Sequence, residues 1–125
     1  MQSRPQSQKS AKVPYLSTTA KSSIDACHAC ATECGLCAQE CIDAGSPDLA
    51  ACARLCVDCQ DLCAVTPTLV SRGSSAYPSI CKVCAELCDR CAAECDRHGE
   101  SEVMRRCAEA CRRCAAECRK LASAS

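Results

Sequence analysis

The sequence of 125 residues contains no phenylalanine, no tryptophan and only two tyrosines. Leucine, isoleucine and valine are also scarce, which excludes a hydrocarbon core of ordinary size. Fifteen basic residues balance 15 acidic ones, so the self-repulsion that keeps a highly charged chain extended is absent. The abundant residue is cysteine, with 18 copies. Cysteine is therefore the only candidate for filling the interior.

The balanced charge gives no reason to expect nucleic acid or an anionic membrane as a partner. No apolar run is long enough to cross a bilayer. Residues 1–22 lack both the apolar stretch and the twin-arginine pair of an export signal, so we expect a flexible N-terminal tail and a cytoplasmic location. Because cytosolic thiols stay reduced, the cysteines indicate metal binding more than a disulfide framework.

The cysteines form four clusters in which the steps alternate between three and four residues. This is the period of one helix face, whereas one face of a strand needs steps of two. Each cluster is therefore predicted to be a stripe of thiols along one helix. The stripes are Cys27, Cys30, Cys34, Cys37 and Cys41; Cys52, Cys56, Cys59 and Cys63; Cys81, Cys84, Cys88, Cys91 and Cys95; and Cys107, Cys111, Cys114 and Cys118.

The last two clusters repeat the first two with an offset of 54 or 55 residues, so the chain contains two copies of one helical hairpin. Short connections make the helices of each hairpin antiparallel neighbours. A longer crossover is expected over residues 64–77, which contain Pro67. The sequence predicts an all-α fold, an up-down-up-down antiparallel four-helix bundle over residues 23–122 with a cysteine-lined core.

Local signals mark the ends of the predicted helices. Ser22 and Ser23 are candidate N-caps of the first helix, and Gly45 is a candidate C-terminal glycine. Ser46 and Pro47 then supply an N-cap and a first-turn proline for the second helix.

Charge selects among the metals that thiolates bind. A Zn²⁺ ion held by four thiolates leaves two negative charges, and no Lys or Arg lies on the stripes to offset them. A monovalent soft ion bound at about one per thiolate leaves the core neutral, and Cu(I) is such an ion. Simple packing, a disulfide network and an iron–sulfur cluster are weaker alternatives, because an all-cysteine core packs poorly, the thiols have no unique partners and ferredoxin spacings are absent.

Two further donors extend the stripes at the end with the short loops. His98 follows Cys95 by three residues, and Met104 precedes Cys107 by three. Imidazole and thioether both bind Cu(I), so these residues are candidate ligands that capture or release ions. A surface histidine and a methionine that covers the core are the alternative interpretation. His28 lies off its stripe and is expected to be exposed.

A second line of apolar residues lies on helices 2 and 3, outside their thiol faces. Such a line often packs against another subunit, so we expect a homo-oligomer. The residues of this line are Leu55, Leu62, Ile80, Val83 and Leu87.

On these four stripes, over about residues 24–121, the sequence resembles the bacterial copper storage proteins. The resemblance implies a tetramer of four-helix bundles, Cu(I) bound by all 18 stripe cysteines, and ions entering at an end lined by other donors, here His98 and Met104. Because it lacks a twin-arginine signal, the chain resembles the cytosolic branch of the family. The resulting hypothesis is a non-enzymatic Cu(I) store that exchanges ions with a copper chaperone or chelator. A metallothionein-like Zn²⁺ or Cd²⁺ buffer and a thiol redox sensor are the alternatives.

Overall fold

The computed structural model describes residues 17–99 and 101–124, so most of the predicted tail lies outside the described residues. Four helices follow one another, and no strand occurs within the described ranges. We number them α1 (Thr18–Ala44), α2 (Ala50–Ser71), α3 (Tyr77–Arg97) and α4 (Glu102–Ala124). A 3₁₀ turn over Pro47–Leu49 leads into α2. The predicted all-α fold is confirmed.

The helices form a square in which α1 packs against α2 and α4, and α3 packs against the same two helices. Sequential neighbours run antiparallel, which is the up-down-up-down order that short connections favour. The connections between α1 and α2 and between α3 and α4 lie together at one end, which we call the hairpin end. The start of α1, the α2–α3 connection and the end of α4 lie at the opposite end, which we call the crossover end.

The α1–α2 connection follows the predicted signals. Gly45 adopts a left-handed conformation with φ of 65°, and its N–H donates to the carbonyl oxygen of Ile42. Ser46 then caps the 3₁₀ turn, because its hydroxyl accepts a hydrogen bond from the N–H of Asp48. Left-handed backbone suits glycine, so this connection reverses the chain within a few residues.

The predicted start of α1 at Ser22 and Ser23 is wrong. The helix begins at Thr18, where Ser17 is the N-cap and its hydroxyl accepts a hydrogen bond from the N–H of Ala20. Ser23 lies one turn inside and is fully buried. Both serines are plausible caps locally, but burial of Ala20 and Ser23 against the bundle extends the helix toward the N-terminus.

The predicted crossover over residues 64–77 is also wrong, because α2 continues to Ser71 and contains Pro67 in its interior. The continuation extends the stripe beyond Cys63 by the same three-and-four spacing to Thr66 and Val70, which are fully buried. A proline in the interior of a helix destabilises it by about 3 kcal/mol. Burial of the apolar side chains of this last segment offsets that cost. Only residues 72–76 connect α2 to α3.

Alanines let the helices approach one another. Many of them directly follow a stripe cysteine and lie buried where two helices meet, where a larger side chain would hold the backbones apart. Ion pairs join the outer edges of these contacts, for example Arg112 to Asp96 at 2.9 Å and Arg106 to Glu33 at 3.1 Å. The buried alanines of this kind are Ala38, Ala85, Ala92, Ala108 and Ala115.

None of the described helices has the length and apolar character that a membrane span requires.

Candidate metal centre

All 18 cysteines point into the bundle and carry free thiols. Cys41 is 3% exposed, and each of the other 17 is 0% exposed. The three-and-four spacing keeps each stripe on the helix face that the square arrangement turns inward. The structure therefore has the cysteine-lined core that the stripes predict.

The thiols meet across the bundle axis and not only between adjacent helices. The sulfurs of Cys30 and Cys88, on the diagonal helices α1 and α3, are 3.9 Å apart. Those of Cys63 and Cys114, on α2 and α4, are 3.8 Å apart. Contacts between adjacent helices are similar, as at 3.6 Å between Cys30 and Cys111. We call this axial stack of sulfurs the thiol column.

The column consists of overlapping groups in which all sulfurs lie within 4.8 Å of one another. Cys63 and Cys114 belong to two such groups, and Cys37 also belongs to two, so the groups are not separate sites. The groups are Cys27, Cys63, Cys84 and Cys114; Cys30, Cys63, Cys88 and Cys114; Cys34, Cys59, Cys91 and Cys111; Cys37, Cys56, Cys95 and Cys107; and Cys37, Cys41 and Cys52.

The pKa of a thiol near each end of the column is raised, with burial among the causes. Loss of water, followed by repulsion from the neighbouring Cys52, raises the pKa of Cys41 to about 11. The neighbouring Cys118, followed by burial, raises the pKa of Cys81 above its ordinary value. An ionised sulfur in such surroundings lacks both water and a counter-ion, so a cation that binds it must displace a proton.

Among the residues that the structure describes, no buried positive side chain lies beside the column. Within residues 17–99 and 101–123, the only polar residues in the buried set are Ser23 and Thr66. Lysine and arginine instead lie on the outer surface, where several pair with Asp or Glu. Charge on the thiolates can therefore be balanced only by the ions they bind.

The two ends of the column differ. At the crossover end, small and aliphatic side chains continue the stripes, and Ala20, Val70 and Leu121 are buried there. The Ser23 hydroxyl lies 3.8 Å from the Cys118 sulfur. This end is closed by packing.

At the hairpin end the stripes finish in Cys41, Cys52, Cys95 and Cys107, with Met104 beyond them. Met104 is 5% exposed and belongs to the same buried cluster as the cysteines. Its backbone N–H donates a hydrogen bond to the hydroxyl oxygen of Ser101 at 3.0 Å, so Ser101 caps the start of α4. The structure thus brings Met104 to the end of the thiol column.

His98 lies at the same end but outside the groups of thiols. It follows α3 as its C-cap, and its side chain is 19% exposed. The ring Nε2 lies 3.1 Å from Glu94 Oε2. Glu94 was not singled out from the sequence, although its spacing of four residues from His98 on one helix is the signal that could have found it.

His28 is exposed, in line with its position off the stripe.

The residues of the second apolar line differ in their burial. Leu55, Leu62 and Leu87 are partly buried and pack against the core of their own chain, because α2 and α3 are neighbours. Val83 remains 44% exposed.

Known proteins share this arrangement. The family model of the copper storage proteins matches residues 16–123. Among solved structures, the apo form of copper storage protein 3 from Bacillus subtilis is 33% identical, with a TM-score of 0.75, and the match covers 82% of this chain and 97% of that one. No curated protein matches the chain at a significant level.

A second similar structure is the copper storage protein Ccsp from Streptomyces lividans, loaded with 10 copper equivalents. It is 35% identical, with a TM-score of 0.77 and coverage of 84% of both chains. The Cu(I)-bound form of the Bacillus subtilis protein is 32% identical, with a TM-score of 0.78 and coverage of 84% of this chain and 99% of that one. With four buried stripes of cysteine and a family match over nearly its whole length, the chain belongs to the copper storage protein family.

Proposed function

We propose that the protein stores Cu(I) in the thiol column, at about one ion per cysteine, with all 18 stripe cysteines as ligands. The observation that carries the proposal is the burial of 18 free thiols in a core without any buried positive side chain among the described residues. A monovalent cation on each thiolate leaves such a core neutral, and Cu(I) is the soft monovalent ion of the cell.

The sulfur spacing supports bridging between ions. A metal–sulfur bond of about 2.3 Å spans roughly 4.6 Å between two sulfurs in a linear S–Cu–S unit. The sulfurs of each group already lie within 4.8 Å of one another, so modest rotation of side chains is enough. Because neighbouring groups share cysteines, one thiolate can bridge two ions, as a ratio near one ion per sulfur requires.

A Zn²⁺ or Cd²⁺ buffer is the second candidate function. A tetrahedral site with bonds of about 2.3 Å has sulfurs about 3.8 Å apart, which is close to the contacts of 3.6 to 4.0 Å in the column. Two of the four groups with four thiols share Cys63 and Cys114, so only three can be occupied at once. Three such sites would leave six buried negative charges and six unused cysteines, which disfavours this candidate.

We propose that ions enter and leave at the hairpin end, where His98 and Met104 act as additional donors. Packing of aliphatic side chains closes the crossover end, which supports this direction of transfer. A soft ion would then pass from Met104 and His98 to Cys41, Cys52 and deeper sulfurs by exchange between thiolates. The step is a ligand exchange without a change in oxidation state.

The cellular setting follows from the same proposal. A Streptomyces lividans relative is described as a cytosolic copper storage protein, and we propose the same location for this chain. A copper chaperone or a small chelator would deliver and remove the ions. Exposed aliphatic side chains, among them Leu36 and Ile42, support assembly into a homo-oligomer such as a tetramer, which light scattering after size exclusion would measure.

Anaerobic titration of the reduced protein with Cu(I), and separately with Zn²⁺, tests the storage proposal. We expect well over ten tightly bound Cu(I) ions per chain, approaching one per cysteine. Saturation near three or four ions with Zn²⁺ preferred over Cu(I) would overturn the proposal in favour of the buffer. Formation of disulfides as the only response to mild oxidant, without metal uptake, would favour a redox sensor.

Replacement of Met104 by leucine tests its role as a donor separately. Leucine keeps the volume of the side chain but removes the sulfur, so the fold should be retained. We expect slower uptake from a Cu(I)–chelator complex, with unchanged final capacity, in stopped-flow absorbance. An uptake rate equal to that of the unmodified protein would leave Met104 as a residue that only covers the core.

A further inference from the structure

We propose that Glu94 is a positioning residue for His98, which it orients so that the ring presents Nδ1 as the donor to an arriving Cu(I). The inference rests on the proposed function, in which His98 receives ions at the hairpin end. It adds a specific nitrogen atom and a second residue to that step.

The hydrogen bond between the two side chains determines which nitrogen is free. His98 Nε2 lies 3.1 Å from Glu94 Oε2. A carboxylate can only accept, so Nε2 carries a proton and donates it, and in the neutral ring the lone pair is then on Nδ1. Within the part of the chain that the structure describes, Nδ1 takes part in no hydrogen bond, so this lone pair is available to a metal.

Glu94 is itself held in place. Arg97 Nη1 lies 2.9 Å from Glu94 Oε1 and 3.1 Å from Oε2, so one guanidinium nitrogen contacts both carboxylate oxygens. The Glu94 side chain is only 13% exposed, which shields these contacts from water more than a surface pair. The backbone N–H of His98 also donates to the carbonyl oxygen of Cys95, which fixes the base of the side chain. Ring and carboxylate therefore have little freedom to separate.

The first hairpin supplies a natural comparison. At the repeat offset of 54 residues, Glu40 corresponds to Glu94, and Ala44 corresponds to His98. Asp43 takes the place of Arg97 and accepts a hydrogen bond from Gln39 at 2.8 Å. Glutamate thus occurs in both hairpins, but only the second has a ring for it to orient and an arginine to hold it. Glu40 is the matched control for Glu94.

The chemistry of capture is a ligand exchange. A neutral imidazole binds Cu(I) through Nδ1 without losing a proton, while the Nε2–H bond to Glu94 remains intact. When the ion passes on to a thiol, the S–H bond breaks, a Cu–S bond forms and the proton leaves to solvent. A carboxylate on the opposite nitrogen also makes the imidazole a stronger donor.

Stopped-flow measurement of Cu(I) transfer from a coloured Cu(I)–bicinchoninate complex tests the pairing. We expect Glu94→Ala and His98→Ala each to slow the first phase by about tenfold, the lower end of the effect of such outer contacts on metal sites. The double variant should be no slower than His98→Ala, because Glu94 acts through the ring. Glu40→Ala should leave the rate unchanged, and all variants should reach the same final capacity.

Nitrogen-15 NMR of the ring gives a readout that a merely structural role would not move. In the unmodified protein we expect the His98 ring to carry its proton on Nε2, and Glu94→Ala to give a mixture of tautomers. Glu94→Gln, whose amide oxygen can still accept from Nε2–H, should restore both the tautomer and most of the transfer rate. Circular dichroism verifies that each variant remains helical.

Three outcomes would overturn the inference. A further slowing of His98→Ala by Glu94→Ala would show that Glu94 acts without the ring. An equal slowing by Glu40→Ala would reduce the effect to the loss of one negative charge near the hairpin end. An unchanged rate in His98→Ala, with full copper capacity, would remove His98 from the path and leave the storage function standing. A low copper capacity of the unmodified protein would instead contradict the storage function itself.

Discussion

At the scale of single residues, the buried thiol is the group from which storage follows. In the metal-free protein it is neutral, fits among other sulfurs and has no water to stabilise its thiolate. Burial accordingly raises the pKa of Cys41 to about 11. In the proposed storage, each Cu(I) would replace one proton with another monovalent cation, so the charge of the core would be the same before and after loading.

This exchange predicts how stability depends on pH. Cys41 has a folded pKa of about 11 against an ordinary value of 9.0, so the folded state holds its proton more tightly than the unfolded state. The resulting stabilisation is complete below pH 9 and is lost as the pH rises toward 11. Thermal unfolding of the reduced, metal-free protein, followed by circular dichroism, should therefore occur at lower temperatures as the pH rises through this window.

The copper-loaded protein is the control, because its thiolates have no protons left to lose. Its unfolding temperature should change much less over the same range of pH. A metal-free protein that is equally stable on both sides of pH 9 would contradict the view that its thiols are neutral and buried.

At the scale of elements, each helix contributes one stripe, and the connections set the register of the stripes. In the α1–α2 connection, Gly45 ends α1 with φ of 65° and Ser46 starts the next turn. A β-carbon at Gly45 would meet nothing within 4 Å, so the position requires glycine only for its backbone conformation.

Gly45→Ala should therefore lower the free energy of unfolding by about 1 kcal/mol, through left-handed backbone strain alone. Gly45→Asn is the matched control, since asparagine tolerates this conformation better, and it should cost less. Chemical denaturation of the metal-free variants measures both values. Because no thiol moves, copper capacity should not change, and a loss of capacity in Gly45→Ala would show that the connection also sets the sulfur register.

At the scale of the whole molecule, four helices surround the thiol column, and packed aliphatic side chains close its crossover end. The sulfurs of the metal-free core contact one another at 3.6 to 4.0 Å, and each such contact is weak. Ions between the sulfurs would add bonds where the metal-free core has only weak contacts. The loaded form should thus be the more stable state of the same fold.

Copper loading should raise the unfolding temperature progressively with the number of ions added. Any ligand that binds only the folded state stabilises it, by about 2.7 kcal/mol for each independent site when the free ligand is 100 times its Kd. Thermal scans under anaerobic conditions at increasing Cu(I) measure this shift, and removal of copper with an excess of a strong Cu(I) chelator should reverse it. A loaded protein that melts no higher than the metal-free one would place the ions on the unfolded chain or the surface.

The sequence alone carried the prediction of four helices, their thiol faces and their order. A three-and-four spacing of cysteine fits one face of a helix and does not fit one face of a strand. The composition also offers no other residue type that could fill the core. For the same reason the interior was predictable residue by residue, since every stripe cysteine is buried. The end of α1 at Gly45 was equally local, because left-handed backbone depends on one residue type.

Tertiary contacts decided what local signals could not. Ser17 and not Ser23 begins α1, and Pro67 lies inside α2, because burial against the other helices outweighs capping and proline preferences. The closure of the crossover end, the sharing of cysteines between groups and the hydrogen bond from His98 to Glu94 depend on atoms brought together by folding. Periodicity gives the face of each helix, whereas distances between faces exist only once the helices have packed.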